Sequence, residues 1–379
     1  MLFSLGLIVL IVGCNDRPQT FTALLQELST LPDSEHQTVV AEFTARQKMF
    51  PQIEKDSVYF LIQLSAEDRP YLTGDMCFWR PDSLPMVRIT TTDFYYYAMH
   101  LPEDARLEYQ FVVGQRFFND PLNPYKDGGG YGENSVLMMP AYKFPKTVLF
   151  RKEHAISRLD TLVFKSKILN NSRQVFVYIP TVDEEIQALI FFHDGVDYLQ
   201  YGKAQIILDN LISTGQIPAV YGVFINPVER GREYRFNDDY LRLLFRELLP
   251  ELKRGYRLPV DLRLGMGGVS LGGLITLYAL KDYGRQLDFV FLQSAALQVD
   301  DYLVLKKLSG LKSTGTRVYL HLGSFEGLEE GHRLLSELLG QAGITYTLKI
   351  VHEGHNWGNW RAYLPEALHY GLNTQEMAQ

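Results

Sequence analysis

The 379-residue sequence predicts two domains: an all-β sandwich led by short helices, then a mostly parallel sheet with helices on both faces. Three observations predict this. The chain is longer than one hydrophobic core usually serves. Between Asp56 and Met139, β-rich runs recur at short intervals with turn residues between them, as in a sandwich. From Arg158 onward, apolar strand-like runs alternate with helical stretches, the pattern of a parallel sheet covered on both sides. The expected divisions are a leader over residues 1–19, helices plus sandwich over residues 20–145, and the α/β domain over residues 155–379, with the connection near residues 140–154.

In chain order, residues 1–13 are almost wholly apolar and too few to span a bilayer as a helix, so they predict a signal-peptide core. Ile11-Val12-Gly13-Cys14 resembles a bacterial lipobox. That resemblance implies a diacylated Cys14 as mature N-terminus and an exported protein anchored to a membrane, periplasmic or at the cell surface. Phe21, Leu24, Leu25 and Leu28 share one helical face; Pro32-Asp33-Ser34 interrupts, and Val39, Val40, Phe43 and Met49 make a second stripe. Strands are expected at residues 58–62, 86–90, 94–99 and 107–113. In the second half, residues 160–164 and 175–179 predict a hairpin, and residues 188–192 a buried strand. Further strands are expected at residues 220–225, 289–294, 317–322 and 346–351, with a helix over residues 240–252.

Composition narrows the function. With 46% hydrophobic and 21% charged residues, long disorder is excluded. The net charge of −7 comes from interspersed acids and bases without a basic stripe, so nucleic acid is not an expected partner. Of the two cysteines, Cys14 lies in the leader, so the mature domains form no internal disulfide unless the leader stays. No Cys/His cluster has metal-ligand spacing, and neither metal nor cofactor is expected.

The chemistry centres on Gly268-Val269-Ser270-Leu271-Gly272. This G-x-S-x-G lies between a short apolar strand and the helical run at residues 274–280, where a sharp turn presents its serine at the end of a sheet. A serine needs a base, and the base needs a third group to fix its tautomer. His355, on the loop after the last strand, is the candidate base, with His352 as the alternative. Glu326, after the preceding strand, is the candidate acid, while Glu329 and Glu330 are expected on a solvated helix face. The order serine, acid, histidine is that of an α/β-hydrolase. The oxyanion donors are expected to be the amides of Leu271 and Val196, with Gly195 as the alternative to Val196. Candidate substrate contacts are Asp197, Arg232, Asn237 and Trp357. Arg230, Arg232, Glu233 and Asn237 form a polar cluster that either pins its loop or faces substrate.

Several segments carry a resemblance. Residues 101–113, Asp120-Pro121-Leu122-Asn123-Pro124 and residues 129–137 resemble the N-terminal domain of enterochelin-esterase-like proteins, which implies an early-set, immunoglobulin-like sandwich. Asp194-Gly195-Val196-Asp197, Leu208-Asp209-Asn210, Arg232-Glu233-Tyr234-Arg235, Val269-Ser270-Leu271-Gly272-Gly273 and Gly354-His355-Asn356-Trp357 resemble the Putative esterase family, which includes enterochelin, esterase D-like, feruloyl and acetyl-xylan esterases. Two departures stand out: Asn356 follows the histidine where the family often has Asp, and Ala295-Ala296 follows Ser294 where many members have Ser-Gly. The resemblance implies a serine esterase acting on a siderophore-like, feruloyl or acetyl-carbohydrate ester. An acyltransferase of the same fold, and an inactive-hydrolase protein that binds glycans or siderophores, are the alternatives.

Overall fold

The computed structural model describes residues 18–373 apart from 66–68, 131 and 260, so the leader and Cys14 lie outside the described residues. Two helices come first, Phe21–Leu28 and Asp33–Arg46. Thr20 caps the first by accepting the Ala23 amide at 3.1 Å. Pro32, which cannot continue a helix, stands just before the second. Their apolar stripe (Phe21, Leu24, Val40, Phe43) packs on Phe50 and on Leu61 and Phe94 of the adjacent sheet.

Two antiparallel sheets follow. One has four strands, with Ser57–Gln63 and Phe94–His100 at its centre. The other has six, built around Arg106–Val113, which pairs with Pro70–Gly74 and Gly132–Met138. Phe60, Leu72, Leu107, Tyr109, Phe111 and Leu137 form one buried core with residues of both sheets, which is what alternating side chains of a sandwich produce. The strand expected at 86–90 shrinks to Val87–Arg88, because Thr91 turns the chain with a φ of 62°.

The connection is not slack. Asn210 Nδ2, on helix Ala204–Ser213, donates to the Thr147 and Leu149 carbonyls at 2.8 and 3.0 Å and fastens the segment to the second domain.

That domain is an eight-stranded sheet: β1 Ser157–Ser166, β2 Asn171–Pro180, β3 Ala188–His193, β4 Val220–Ile225, β5 Arg263–Val269, β6 Phe289–Gln293, β7 Arg317–Gly323 and β8 Tyr346–Val351. The order is β1-β2-β4-β3-β5-β6-β7-β8. β1 and β2 form the expected hairpin, β2 runs antiparallel to β4, and every later pairing is parallel. Both faces are buried, as the continuous apolar runs require: Leu189 and Phe191 of β3 enter one core, Ile190 and Phe192 the other. The helix expected over 240–252 is Asp238–Arg242, a wider π-type stretch Leu243–Leu248, and Leu249–Gly255. Pro250 in that run has no amide to donate back along the helix.

The domains meet backbone to backbone. The Arg106 amide donates to the His352 carbonyl at 3.0 Å, and Arg106 and Glu353 form a parallel bridge. This joins the sandwich to the loop that follows β8.

Candidate active site

β5 turns into helix Leu271–Tyr283 at Ser270, whose backbone is held at φ 54°, ψ −118°. A non-glycine residue persists there only where its surroundings over-determine it. The determinants are visible. A Cβ on Gly268 would lie 2.4 Å from Gly272 C, so the turn closes only with glycine. The Ser270 amide donates to Gln293 O, and its carbonyl accepts the Leu274 and Ala296 amides, each at 3.0 Å. The Leu271 amide, first in the helix, donates to no described acceptor and remains available to an anion.

His355 sits on the loop after β8, with Nδ1 3.0 Å from Glu326 Oε2. The Glu326 side chain is 0% exposed. Its Oε1 accepts the Gly323 amide at 2.8 Å, Ser294 Oγ at 2.7 Å and Asn359 Nδ2 at 3.1 Å. A carboxylate with that many donors is fixed in place, and its remaining oxygen holds the Nδ1 proton of the imidazole. Nε2 then carries the free lone pair. Trp360 stands edge-on to His355, with ring centres 4.9 Å apart, and its Nε1 donates to Ser294 Oγ at 2.8 Å. Ser270 and His355 line one cleft of about 710 Å³, and no hydrogen bond joins their side chains among the described residues.

The other candidates are distributed differently. Asp197 and Trp357 line the same cleft. His352 turns to Asp104 of the sandwich, 2.6 Å away. Glu329 and Glu330 open the exposed face of helix Glu329–Gln341, with Glu330 paired to Arg333.

Three expectations are corrected. The Val196 amide donates to Asn226 Oδ1 at 2.8 Å, so it is already engaged; the neighbouring Gly195 amide donates to no described acceptor. Arg232 is 79% exposed and pairs with Glu229, away from the cleft. Asn237 is a helix cap that accepts the Tyr240 amide at 3.0 Å. The arginine of that cluster which does reach the cleft is Arg230, whose Nε and Nη2 each lie 2.8 Å from an oxygen of Asp194. Glu233 pins the loop through a buried pair with Arg173.

The sandwich supplies the opposite wall through Trp79, Glu108, Gln110, Asn134 and a glycine-rich strand end. Behind that wall lies a buried charge network. Arg106 donates to Glu108, Asp127 and Asn356 Oδ1. Burial alone would lower its guanidinium pKa, but Glu108, Glu353 and Asp127 hold it above the ordinary value. Asp75 accepts Trp79 Nε1 at 3.0 Å, the Glu108 amide at 2.7 Å and Asn356 Nδ2 at 2.9 Å. Burial, then the neighbouring Glu108, pushes the Asp75 carboxyl well above the usual range. Burial likewise raises Glu353 to about 8, and neither of its oxygens accepts a hydrogen bond from the described residues. Asn356 therefore joins two domains: it caps the last helix by accepting the Asn359 amide at 3.0 Å, accepts Arg106 and donates to Asp75. No local pattern announces this, since Asn356 and Asp75 are 281 positions apart. Ser294, noticed only for the residues that follow it, proves to be a donor to the acid.

Residues 166–370, more than half of the chain, match the sequence profile of a family described as Putative esterase. Among solved structures, enterobactin esterase FES from Shigella flexneri in the presence of enterobactin is similar, at 23% identity and a TM-score of 0.72. The match covers 86% of this chain and 97% of that one. Ferric enterobactin esterase from Salmonella typhimurium matches at 20% identity and a TM-score of 0.69, covering 87% and 98%. A ferulic acid esterase matches at 17% identity and a TM-score of 0.51, covering 57% of this chain and 98% of its own. No curated protein matches the sequence.

Proposed function

Since the chain belongs to the Putative esterase family, we propose that it hydrolyses a carboxylic ester through an acyl-enzyme on Ser270. The observation that carries this is the Glu326–His355 contact of 3.0 Å in the cleft that Ser270 lines from its strained turn. Ser270 Oγ attacks the ester carbonyl and gives its proton to His355 Nε2. Glu326 keeps the imidazole in the reactive tautomer and stabilises it once it is charged. The Leu271 amide, with that of Gly195, receives the oxyanion, a contribution of about 3–4 kcal/mol per donor in comparable sites. His355 then protonates the departing alkoxide. Water, deprotonated by the same imidazole, releases the acid and restores Ser270.

The sandwich, which we read as early-set and immunoglobulin-like, forms one wall of the cleft and selects what enters. Enterobactin and ferulic esters are the substrate classes that the names of the structural relatives bring to this chain. Cys14, outside the described residues, is proposed as the lipidation site of an exported, membrane-anchored protein; metabolic labelling with a fatty-acid analogue, lost in C14A, tests it. For the chemistry, the test is a fluorophosphonate probe with the modified residue read by mass spectrometry. Labelling at Ser270 that disappears in H355A is the expected result. A folded protein without labelling overturns the proposal.

A further inference from the structure

The cleft around Ser270 has a definite charge. Its wall carries three carboxylates, Glu108, Asp194 and Asp197, and one guanidinium, Arg230. Arg230 is already bidentate to Asp194. The Glu108 oxygens are held by Arg106 and Asn134, but Arg106 also serves Asp127 and lies 4.0 Å from Glu353, so its charge is divided. Asp197 differs: among the described residues its carboxylate accepts no hydrogen bond and forms no ion pair. It is half-buried, two residues beyond Gly195, whose amide is proposed to receive the oxyanion. Burial, then Asp194 beside it, pushes the Asp197 carboxyl above the ordinary range, and Arg230 offsets only part of this.

A second feature points the same way. Phe78 and Trp79, consecutive and both non-glycine, are held at φ 54° and 58°. Backbone held this way fixes the direction in which each side chain leaves the chain. The presented side chain is Trp79, which lines the cleft while its Nε1 is tied down to buried Asp75. An aromatic ring and a carboxylate without a hydrogen-bond or ion-pair partner among the described residues suit a cation in one cleft.

Resting on the esterase reading, though not on the enterobactin and ferulic classes named above, we infer that this cleft selects cationic over anionic esters, with Asp197 the residue that sets the preference. An anion entering the cleft meets Asp197 and Glu108 at close range, and a cation gains what the anion loses. For unit charges a few ångströms apart in a half-exposed cleft, the two signs differ by about tenfold or more in rate constant.

The experiment uses three fluorophosphonates of matched size whose tails end in a trimethylammonium, a tert-butyl or a carboxylate group. The second-order rate of Ser270 modification is measured for wild type and D197N. The expected order is trimethylammonium, then tert-butyl, then carboxylate. The ratio of first to last exceeds about tenfold, shrinks with added salt and falls at least about threefold in D197N. Rates independent of tail charge, or fastest for the carboxylate, overturn this inference and leave the esterase reading standing. A preference that D197N does not change overturns the assignment to Asp197. Failure of all three probes to label a folded protein overturns the esterase reading and this inference with it.

Discussion

Replacing Asn356 with Asp changes one donor into an acceptor at the point where the sandwich grips the histidine loop. The side-chain Oδ1 can still accept Arg106 and the Asn359 amide, each at 3.0 Å, and Asp caps a helix as well as Asn. What is lost is the Nδ2 donation to Asp75 Oδ2 at 2.9 Å, replaced by two carboxylate oxygens facing each other. A hydrogen bond to a charged group contributes about 1.5–3 kcal/mol, and a like-charge contact in a buried site adds to the loss. The sign with pH follows from Asp75, whose carboxyl burial already raises. One proton shared between the two acids restores the hydrogen bond. Above the ordinary carboxylate range the folded variant therefore keeps a proton that the unfolded chain has already released, and its stability falls as pH rises. Relative to wild type at the same pH, N356D is expected to lose under about 1 kcal/mol near pH 5.5 and about 2–4 kcal/mol near pH 8.5. Urea unfolding at the two pH values measures this, with ester turnover followed in parallel. N356A, which loses the cap and both interface bonds, is the control that fails at both. An N356D midpoint equal to wild type at the higher pH, or a loss identical at both, would refute the reasoning.

E326Q keeps the shape of the acid but not its charge; kcat should drop on the order of 10³–10⁴-fold with KM little changed, read from steady-state kinetics. Glu353 titrates near 8 when folded and at 4.5 ordinarily, so the folded chain keeps its proton longer. Stability then declines between those values as pH rises and levels above them; E353Q should flatten the decline by on the order of 5 kcal/mol, measured by urea unfolding across that pH range. A Cβ on Gly354 would lie 2.0 Å from Asp75 Cγ, so G354A should lower both Tm and activity, while G340A, whose Cβ meets nothing, should leave both unchanged.

What could be read from the sequence depended on how local the cause was. Ser270 and its flanking glycines form a contiguous motif whose geometry the backbone alone demands. The strand alternation placed the loops after β7 and β8 at the same sheet end, and with them Glu326 and His355. Val196 illustrates the opposite: its amide is occupied by Asn226, a residue after another strand and 30 positions away. Arg230 and Arg232 are two residues apart on one short helix, and only the fold decides which faces the cleft. The grip of Asp75, Arg106 and Glu108 on the histidine loop depends on two domains meeting, for which the sequence holds no periodic signal.

The bridge between Arg106 and Glu353 bears on how such a protein could be shortened. The ferulic acid esterase, 98% of which overlays 57% of this chain, indicates that the sheet fold does not require a sandwich. Here the sheet half has come to depend on one. A cut at the connection would strip Glu353 of Arg106, Asn356 of both its cross-domain partners and Arg361 of Asp127, directly beside His355. A minimal version of this enzyme is therefore a redesign problem: positions 353, 356 and 361 would have to be rewritten for water before the sandwich could be dispensed with.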